Sequence, residues 1–157
     1  MKLLVMSDSH RNIGHMLLAV EQTNPDAILH LGDHIGDAMK LNQRLPNATV
    51  YMVKGNCDPS AAGKDTILLP IEGVKILMTH GHIFGVKTGL AALVERAAQQ
   101  EADLALFGHT HRGLIQNTHG LTLMNPGQME RHDNNRTASY GIVTVADGKF
   151  DCEIGYL

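Results

Sequence analysis

Aspartate, asparagine and histidine recur in this chain in short polar motifs, each of which lies at the end of an apolar run. The motifs are Asp8-Ser9-His10, Gly32-Asp33, Gly55-Asn56, Thr79-His80-Gly81-His82 and Gly108-His109-Thr110-His111. Carboxylate oxygens, an amide oxygen and neutral imidazole nitrogens form a mixed ligand set that suits Mn²⁺, Fe, Co²⁺, Ni²⁺ or Zn²⁺ better than Mg²⁺ or Ca²⁺. One such motif alone is commonly a turn or a surface pair. Five of them, each at the end of an apolar run, indicate a metal site.

The apolar runs have the length and composition of buried β-strands, and the segments between the first three have helical periodicity. Ile13, Met16, Leu17 and Val20 recur at the i, i+3, i+4, i+7 spacing of an amphipathic helix that ends before Pro25. A second helix is predicted from Ile35 onwards, and a third at 88–100. The predicted strands are 3–6, 27–29, 50–53, 67–69, 74–78, 104–107, 114–115, 121–124, 140–145 and 150–154.

This order of elements predicts an α/β fold with two packed sheets and helices outside, in a single domain of residues 1–157. The carboxyl ends of neighbouring parallel strands converge on one edge of a sheet. The five polar motifs, although far apart in sequence, are therefore expected to meet in one cleft.

The composition narrows the classes of partner. The formal net charge is −3 and the pI is near 6.3, which disfavours a nucleic-acid-binding protein. A phosphate substrate stays compatible, because bound cations supply positive charge locally. No apolar stretch reaches the roughly 20 residues of a membrane span. Cys57 and Cys152 lack metal-ligand spacing and are interpreted as reduced thiols, with a disulfide left open, so a soluble, cytoplasmic protein is predicted.

The ordered motifs, the sequence Gly-Asn-Cys-Asp at 55–58 and the later Asn125-Pro126-Gly127 resemble the calcineurin-like metallophosphoesterase superfamily, in particular its small bacterial and archaeal phosphodiesterase branch. The resemblance implies a two-sheet β-sandwich flanked by helices in four layers, α/β/β/α. It also implies two divalent ions, with Mn²⁺ expected first. One ion would be held by Asp8, His10 and His111, the other by Asn56, His80 and His109, and Asp33 would bridge them. A metal-bridging hydroxide would attack a phosphoester, most readily a diester.

Cys57 is a departure from many relatives, which have a histidine that serves as general acid at this position. A thiol with a pKa of about 8.5 is a poor replacement, which favours esters with good leaving groups. His82 is the better candidate to take the role and His34 the other. Asp58 is expected to accept a hydrogen bond and orient a neighbour. His82 and Asp58 are thus the predicted catalytic residues.

Two residues at the start of the first helix, Arg11 and Asn12, are candidates for phosphate contact, with a helix cap as the equal alternative for Asn12. The turn at Asn125 is expected to support the loops near the site. The remaining histidines are interpreted as structural or surface residues; they include His15, His30, His119 and His132.

Three other functions stay open. A phosphomonoesterase or nucleotidase would use the same metal centre. A non-catalytic scaffold, like the retromer subunit that resembles this branch, would be free to lose His80 or His109, yet both are present. A nuclease is disfavoured by the acidic balance. The expected partner is a small phosphoester, and the natural substrate and homo-oligomer formation are left open.

Overall fold

The computed structural model describes residues 1–130 and 137–157. The α-helices in these residues are α1 (Ile13–Thr23), α2 (Ile35–Arg44) and α3 (Ala91–Gln99). The strands are β1 (Lys2–Met6), β2 (Ala27–His30), β3 (Thr49–Met52), β4 (Thr66–Ile71), β5 (Val74–Thr79), β6 (Leu104–Leu106), β7 (Gly113–Thr118), β8 (Leu121–Pro126), β9 (Ser139–Ala146) and β10 (Lys149–Tyr156). Short 3₁₀ turns lie at Ser60–Ala62 and His82–Phe84.

The strands form two five-stranded sheets. The first has the order β10-β9-β1-β2-β3, in which β1, β2 and β3 are parallel and β9 runs antiparallel to β1. The second has the order β4-β5-β6-β8-β7, in which β5, β6 and β8 are parallel. Most of the parallel neighbours are thus joined by helical connections, as the alternation of elements predicted.

The side chains of β1 show how the layers pack. Leu3 and Val5 point into the core between the two sheets, where they meet Met78 and Leu106 of the second sheet. Leu4 and Met6 point the other way and are covered by side chains of α1 and α2. A strand that is buried on both faces has to be apolar throughout, which explains why the run at 3–6 does not alternate.

The helix α3 covers the outer face of the second sheet in the same way, with Leu93 and Ala97 packed on Leu77 and Ala105. The predicted four-layer α/β/β/α sandwich is therefore confirmed. The start of α3 was predicted three residues too early, because Thr88 closes a turn by donating from its backbone and side chain to the Gly85 carbonyl. In the described part of the chain, no helix combines the length and apolar character that a membrane span requires.

The loops that follow β1, β2, β3, β5 and β6 all leave the sandwich at the same end. Backbone hydrogen bonds tie them together: the Asp8 amide donates to the Gly32 carbonyl at 3.0 Å, and the Gly108 amide donates to the His80 carbonyl at 3.1 Å. The loops of the two sheets also meet here, since Nδ1 of the His80 side chain lies 2.9 Å from the backbone carbonyl oxygen of Leu31. This end of the molecule is where the polar motifs gather.

Candidate metal centre

The side chains predicted to bind metal converge in two overlapping groups. In the first, one ligand atom from each of Asp8, His10, Asp33 and His111 lies within 4.8 Å of the others. The second group consists of Asp33, His80 and His109, whose ligand atoms likewise lie within 4.8 Å of one another. Asn56 joins this second group, because its Oδ1 is 3.1 Å from Nε2 of His80. All the predicted ligands are thus brought together, and Asp33 belongs to both groups.

The first group contains a buried nitrogen whose hydrogen bond is not satisfied. Asp8 is fully buried, and its Oδ2 accepts hydrogen bonds from the Ser7 hydroxyl at 2.6 Å and the His109 amide at 3.1 Å. Its Oδ1 lies 3.0 Å from Nε2 of His111. The buried Nε2 of His10, in contrast, has no hydrogen-bond partner among the described residues. A buried polar atom of this kind is rare and costly, and a cation held together with Oδ1 of Asp8 would satisfy it, so the donor set fits a metal ion.

The second group is arranged around Nε2 of His80. This atom lies 3.2 Å from Nδ1 of His109 and 3.4 Å from Oδ1 of Asp33. A carbonyl oxygen only accepts hydrogen bonds, so the contact with Leu31 assigns the ring proton of His80 to Nδ1. The lone pair of Nε2 then faces the other ligands. A backbone carbonyl that fixes the tautomer of a metal-binding histidine is a common arrangement in metalloproteins.

The local electrostatics hold Asp8 and His109 in the protonation states that a metal requires. Burial, reinforced by the charge of Lys87, lowers the pKa of His109 to about 4. Burial alone would raise the pKa of Asp8, but its contacts with His111 and with the Ser7 hydroxyl outweigh burial and lower the pKa. The same contact with Asp8 raises the pKa of His111, so this residue would release a proton when a metal binds. At neutral pH the carboxylate is ionised and His109 is neutral, as ligands must be.

The backbone at these positions is unusual. Five of the predicted ligands have a positive φ, a region that side chains other than glycine rarely adopt; the values are 54° for Asp8, 42° for His10, 55° for Asp33, 67° for His109 and 59° for His111. Such residues cost about 1–3 kcal/mol each and cluster at functional sites. The strain is therefore concentrated in the loops that carry the ligands.

Comparison with known proteins agrees with this geometry. Residues 1–148 match the family model described as the calcineurin-like phosphoesterase superfamily domain. The chain belongs to this superfamily. The assignment made from the motif order is thereby confirmed, and with it the class of enzyme, a metal-dependent phosphoester hydrolase.

Individual relatives are similar over most of their length. A protein of Bacillus subtilis (strain 168) named "Probable metallophosphoesterase YsnB" is 37% identical over 146 residues, which are 92% of this chain and 85% of that protein. Phosphodiesterase YfcE of Escherichia coli (strain K12) is 27% identical over 169 residues, covering 91% and 87% of the two chains. The crystal structure of a predicted phosphoesterase from Streptococcus pneumoniae TIGR4 has a TM-score of 0.78 at 26% identity, covering 98% of this chain and 87% of that one.

Asp58 of this metallophosphoesterase supports the ligand loops through their backbone. Its Oδ1 accepts a hydrogen bond from the Ile35 amide and its Oδ2 accepts one from the Gly55 amide, both at 2.8 Å. The carboxylate thereby joins the loop that carries Asp33 to the loop that carries Asn56. The expected orienting contact is made with the backbone of these loops, and a direct catalytic role for Asp58 stays a prediction.

His82 lies at the edge of the second group, with its ring centroid 5.4 Å from that of His80 and 6.2 Å from that of His109. Its Nδ1 is buried and has no hydrogen-bond partner among the described residues. Burial lowers its pKa. The other candidate, His34, is beside the first group, 4.9 Å from His10 between ring centroids.

Asp37 supports the site and was not predicted from the sequence. This carboxylate is almost fully buried and its Oδ2 accepts hydrogen bonds from the Ser9 hydroxyl at 2.8 Å and the Arg11 amide at 2.7 Å. It thus holds the loop on both sides of His10. In the sequence it stands in the first turn of a predicted helix, where acidic residues are common, so no signal distinguished it.

The remaining sequence predictions have mixed outcomes. Asn12 caps α1, accepting a hydrogen bond from the His15 amide at 3.2 Å. Asn125 donates to the Gly108 carbonyl at 2.8 Å and so supports the ligand loop as predicted. His30 is fully buried, and its Nε2 lies 3.2 Å from the Ser9 hydroxyl. His119 is exposed, and His132 lies outside the described residues.

Proposed function

We propose that this protein is a phosphodiesterase that binds two divalent ions. Asp8, His10 and His111 would hold one ion, Asn56, His80 and His109 the other, and Asp33 both. The observation that carries the proposal is that Asp33 belongs to two ligand groups at once. A carboxylate in this position brings two ions close enough to act on one phosphate. The mixed nitrogen and oxygen ligands favour Mn²⁺ first, with Ni²⁺, Zn²⁺, Fe and Co²⁺ as alternatives.

The charge of the ligand set suits an anionic substrate. When bound, two divalent ions supply Lewis acidity and lower the pKa of water to about 7, which provides the nucleophile. Asp8 and Asp33 are the only carboxylates among the proposed ligands, and they offset half of the positive charge. The histidines and Asn56 are neutral ligands, so they complete the ligand set without offsetting the remaining positive charge. A phosphate group therefore meets a centre of net positive charge.

The leaving group is where Cys57 limits the chemistry. The Cys57 amide donates to Oδ1 of Asp33 at 3.0 Å, which places the exposed thiol beside the ligands. Partial desolvation, together with the hydrogen bond and the negative charge of Asp33, raises the pKa of this thiol to about 11, so it keeps its proton and is a weak acid. Substrates whose leaving group needs no protonation are therefore favoured. His82 stays the proposed residue for a direct contact with the phosphoester.

The preference for a diester has two supports. A cavity lies directly beside His109 and His111, which leaves room for a second ester substituent. The Escherichia coli relative is named a phosphodiesterase. We expect a small phosphoester rather than nucleic acid. A cytoplasmic location is likewise a proposal, supported by the free thiols of Cys57 and Cys152.

The test compares bis(4-nitrophenyl) phosphate with 4-nitrophenyl phosphate after chelation and after separate addition of Mn²⁺, Ni²⁺, Zn²⁺ and Mg²⁺. We expect no hydrolysis after chelation, the largest recovery with Mn²⁺, and a higher kcat/KM for the diester. A higher kcat/KM for the monoester would replace the proposal with a phosphomonoesterase. A protein that binds two ions per chain and hydrolyses neither ester would be a scaffold.

A further inference from the structure

A cavity of about 670 Å³ adjoins the candidate metal centre. His109 and His111 line one side of it, so a phosphate bound at the metal centre would lie next to the cavity. The side chains of Val86, Leu90, Phe107 and Leu114 also line it. Val86 and Phe107 are almost fully buried, and Leu90 and Leu114 are half-buried. One part of the cavity is therefore apolar, which suits a ligand with an apolar body.

The charged side chains that line this cavity are all basic. They are Lys87 and Arg112, and no carboxylate is among the described lining residues. Both basic residues are exposed, and among the described residues neither side chain forms an ion pair or a hydrogen bond. The chain as a whole has more acidic than basic residues, 16 against 13, so a purely basic lining is not the average of the surface. Two basic side chains without an ion-pair partner, next to an apolar wall, favour a ligand that is both anionic and apolar.

We propose that this cavity selects phosphodiesters in which the second substituent combines an apolar, ring-sized body with an additional negative charge, and that Lys87 and Arg112 are the residues that recognise this charge. The proposal rests on the proposed function, because the reacting phosphate has to lie at the metal centre. The body of the substituent would lie against Leu90 and Leu114. Its carboxylate or phosphate group would lie between the two basic side chains.

The first experiment uses three diesters that share 4-nitrophenolate as leaving group and differ in the other substituent: phenyl, 4-carboxyphenyl and 4-(aminomethyl)phenyl. In the metal-loaded enzyme we expect kcat/KM for the carboxyphenyl ester to exceed that for the phenyl ester about tenfold, since each of two solvent-accessible charge contacts contributes up to about fivefold. The aminomethyl ester is expected to be the poorest. Equal values for the three esters would overturn the proposal.

The second experiment assigns the preference to residues. In Lys87→Gln and in Arg112→Gln we expect the carboxyphenyl to phenyl ratio of kcat/KM to fall, and in the double variant to approach one. Lys149→Gln is the matched control: Lys149 is exposed and begins β10, next to the turn that contacts Glu72 at the opposite end of the sandwich. Its ratio should equal that of the unaltered enzyme. A ratio in the double variant that equals the control would contradict the role of these two residues.

A binding measurement separates this proposal from the proposed function. Calorimetry compares 4-carboxybenzylphosphonate with benzylphosphonate, neither of which has a hydrolysable ester. We expect tighter binding of the carboxylated compound to the metal-loaded protein and loss of this difference in the double variant. If no phosphoester is hydrolysed but this difference is found, the cavity proposal stands and the proposed enzymatic function falls. If esters are hydrolysed and the two phosphonates bind equally, the cavity proposal falls alone.

Discussion

The close approach of Gly55 to Asp33 allows a direct test of whether one shared carboxylate holds both ions. A Cβ added at Gly55 would lie 2.1 Å from Oδ1 of Asp33 and 2.4 Å from its backbone nitrogen, whereas real Cβ atoms keep at least about 3.0 Å. In Gly55→Ala the loops of Gly55 and Asp33 have to separate, and an increase from 2.1 Å to about 3.0 Å at Oδ1 is a shift of about 0.9 Å between residue 55 and the carboxylate. Metal–ligand distances tolerate only about 0.2 Å. The variant should therefore lose affinity for both ions.

We expect the metal content of Gly55→Ala to fall from about two ions per chain to less than one. Loss of a ligand position should weaken Mn²⁺ binding at least about 100-fold, or roughly 2.7 kcal/mol. Inductively coupled plasma mass spectrometry after gel filtration gives the content, titration calorimetry gives the affinity, and circular dichroism checks that the variant is folded. Two ions bound with unchanged affinity by a folded Gly55→Ala would refute the reasoning.

Gly36→Ala is the matched control. An added Cβ there meets no atom within 4 Å, although Gly36 is the second residue of the helix that directly follows the Asp33 loop. Metal binding should be unchanged. Alanine is favoured over glycine in a helix by about 0.5–1 kcal/mol, so the Tm of the control should rise slightly. Weaker metal binding in the control would show that any change near Asp33 has this effect.

Three other changes give equally definite expectations. Asp33→Ala should release both ions, and a variant that retains two ions with normal activity by metal analysis would contradict the bridging role. Cys57→His should raise the turnover of alkyl esters relative to nitrophenyl esters. Side-by-side rates without a relative gain would contradict the interpretation that a general acid is missing at position 57. His30 is fully buried, and burial lowers its pKa to about 4, whereas the pKa of histidine in the unfolded chain is about 6.5. Between about pH 6.5 and about pH 4, a proton therefore binds to this imidazole in the unfolded chain but not in the folded protein. Stability is therefore lost as the pH falls through this window, by up to about 1.4 kcal/mol per pH unit. Urea unfolding of metal-free protein at pH 7, 6 and 5 gives the free energy of unfolding at each pH. As the pH is lowered, this free energy should fall less in His30→Gln than in the unaltered protein. Equal slopes of free energy against pH would disprove the assignment of this loss to His30.

The sequence predicted which loops come together, because the signal of each loop is local. An apolar run that ends in Asp8 or His80 indicates both the end of a buried strand and a polar group at its carboxyl end. The convergence of these ends then follows from the parallel arrangement of strands. The order of the elements predicted the two sheets for the same reason, and neither inference required a contact between distant residues to be known.

Features that depend on distant contacts could not be predicted. Asp37 supports the first loop through Ser9, 28 residues away, and its position in the sequence does not distinguish it from an ordinary acid of the first helical turn. The positive φ of Asp33 and His109 is imposed by the surrounding structure. Arg112 follows a ligand loop, but its place beside Lys87 in one cavity results from the packing of loops in the second sheet.

The aspartates near the centre divide into two pairs, and this division explains how the loops are held without loss of positive charge. Asp8 and Asp33 face the ligand groups, whereas Asp37 and Asp58 accept hydrogen bonds from backbone amides next to His10 and Asn56. Four carboxylates facing two divalent ions would cancel their charge and remove the attraction for a phosphate. Asp37 and Asp58 instead direct their negative charge to backbone amides. They hold the loops in their strained conformations, and bound ions would keep the net charge that an anionic ester requires.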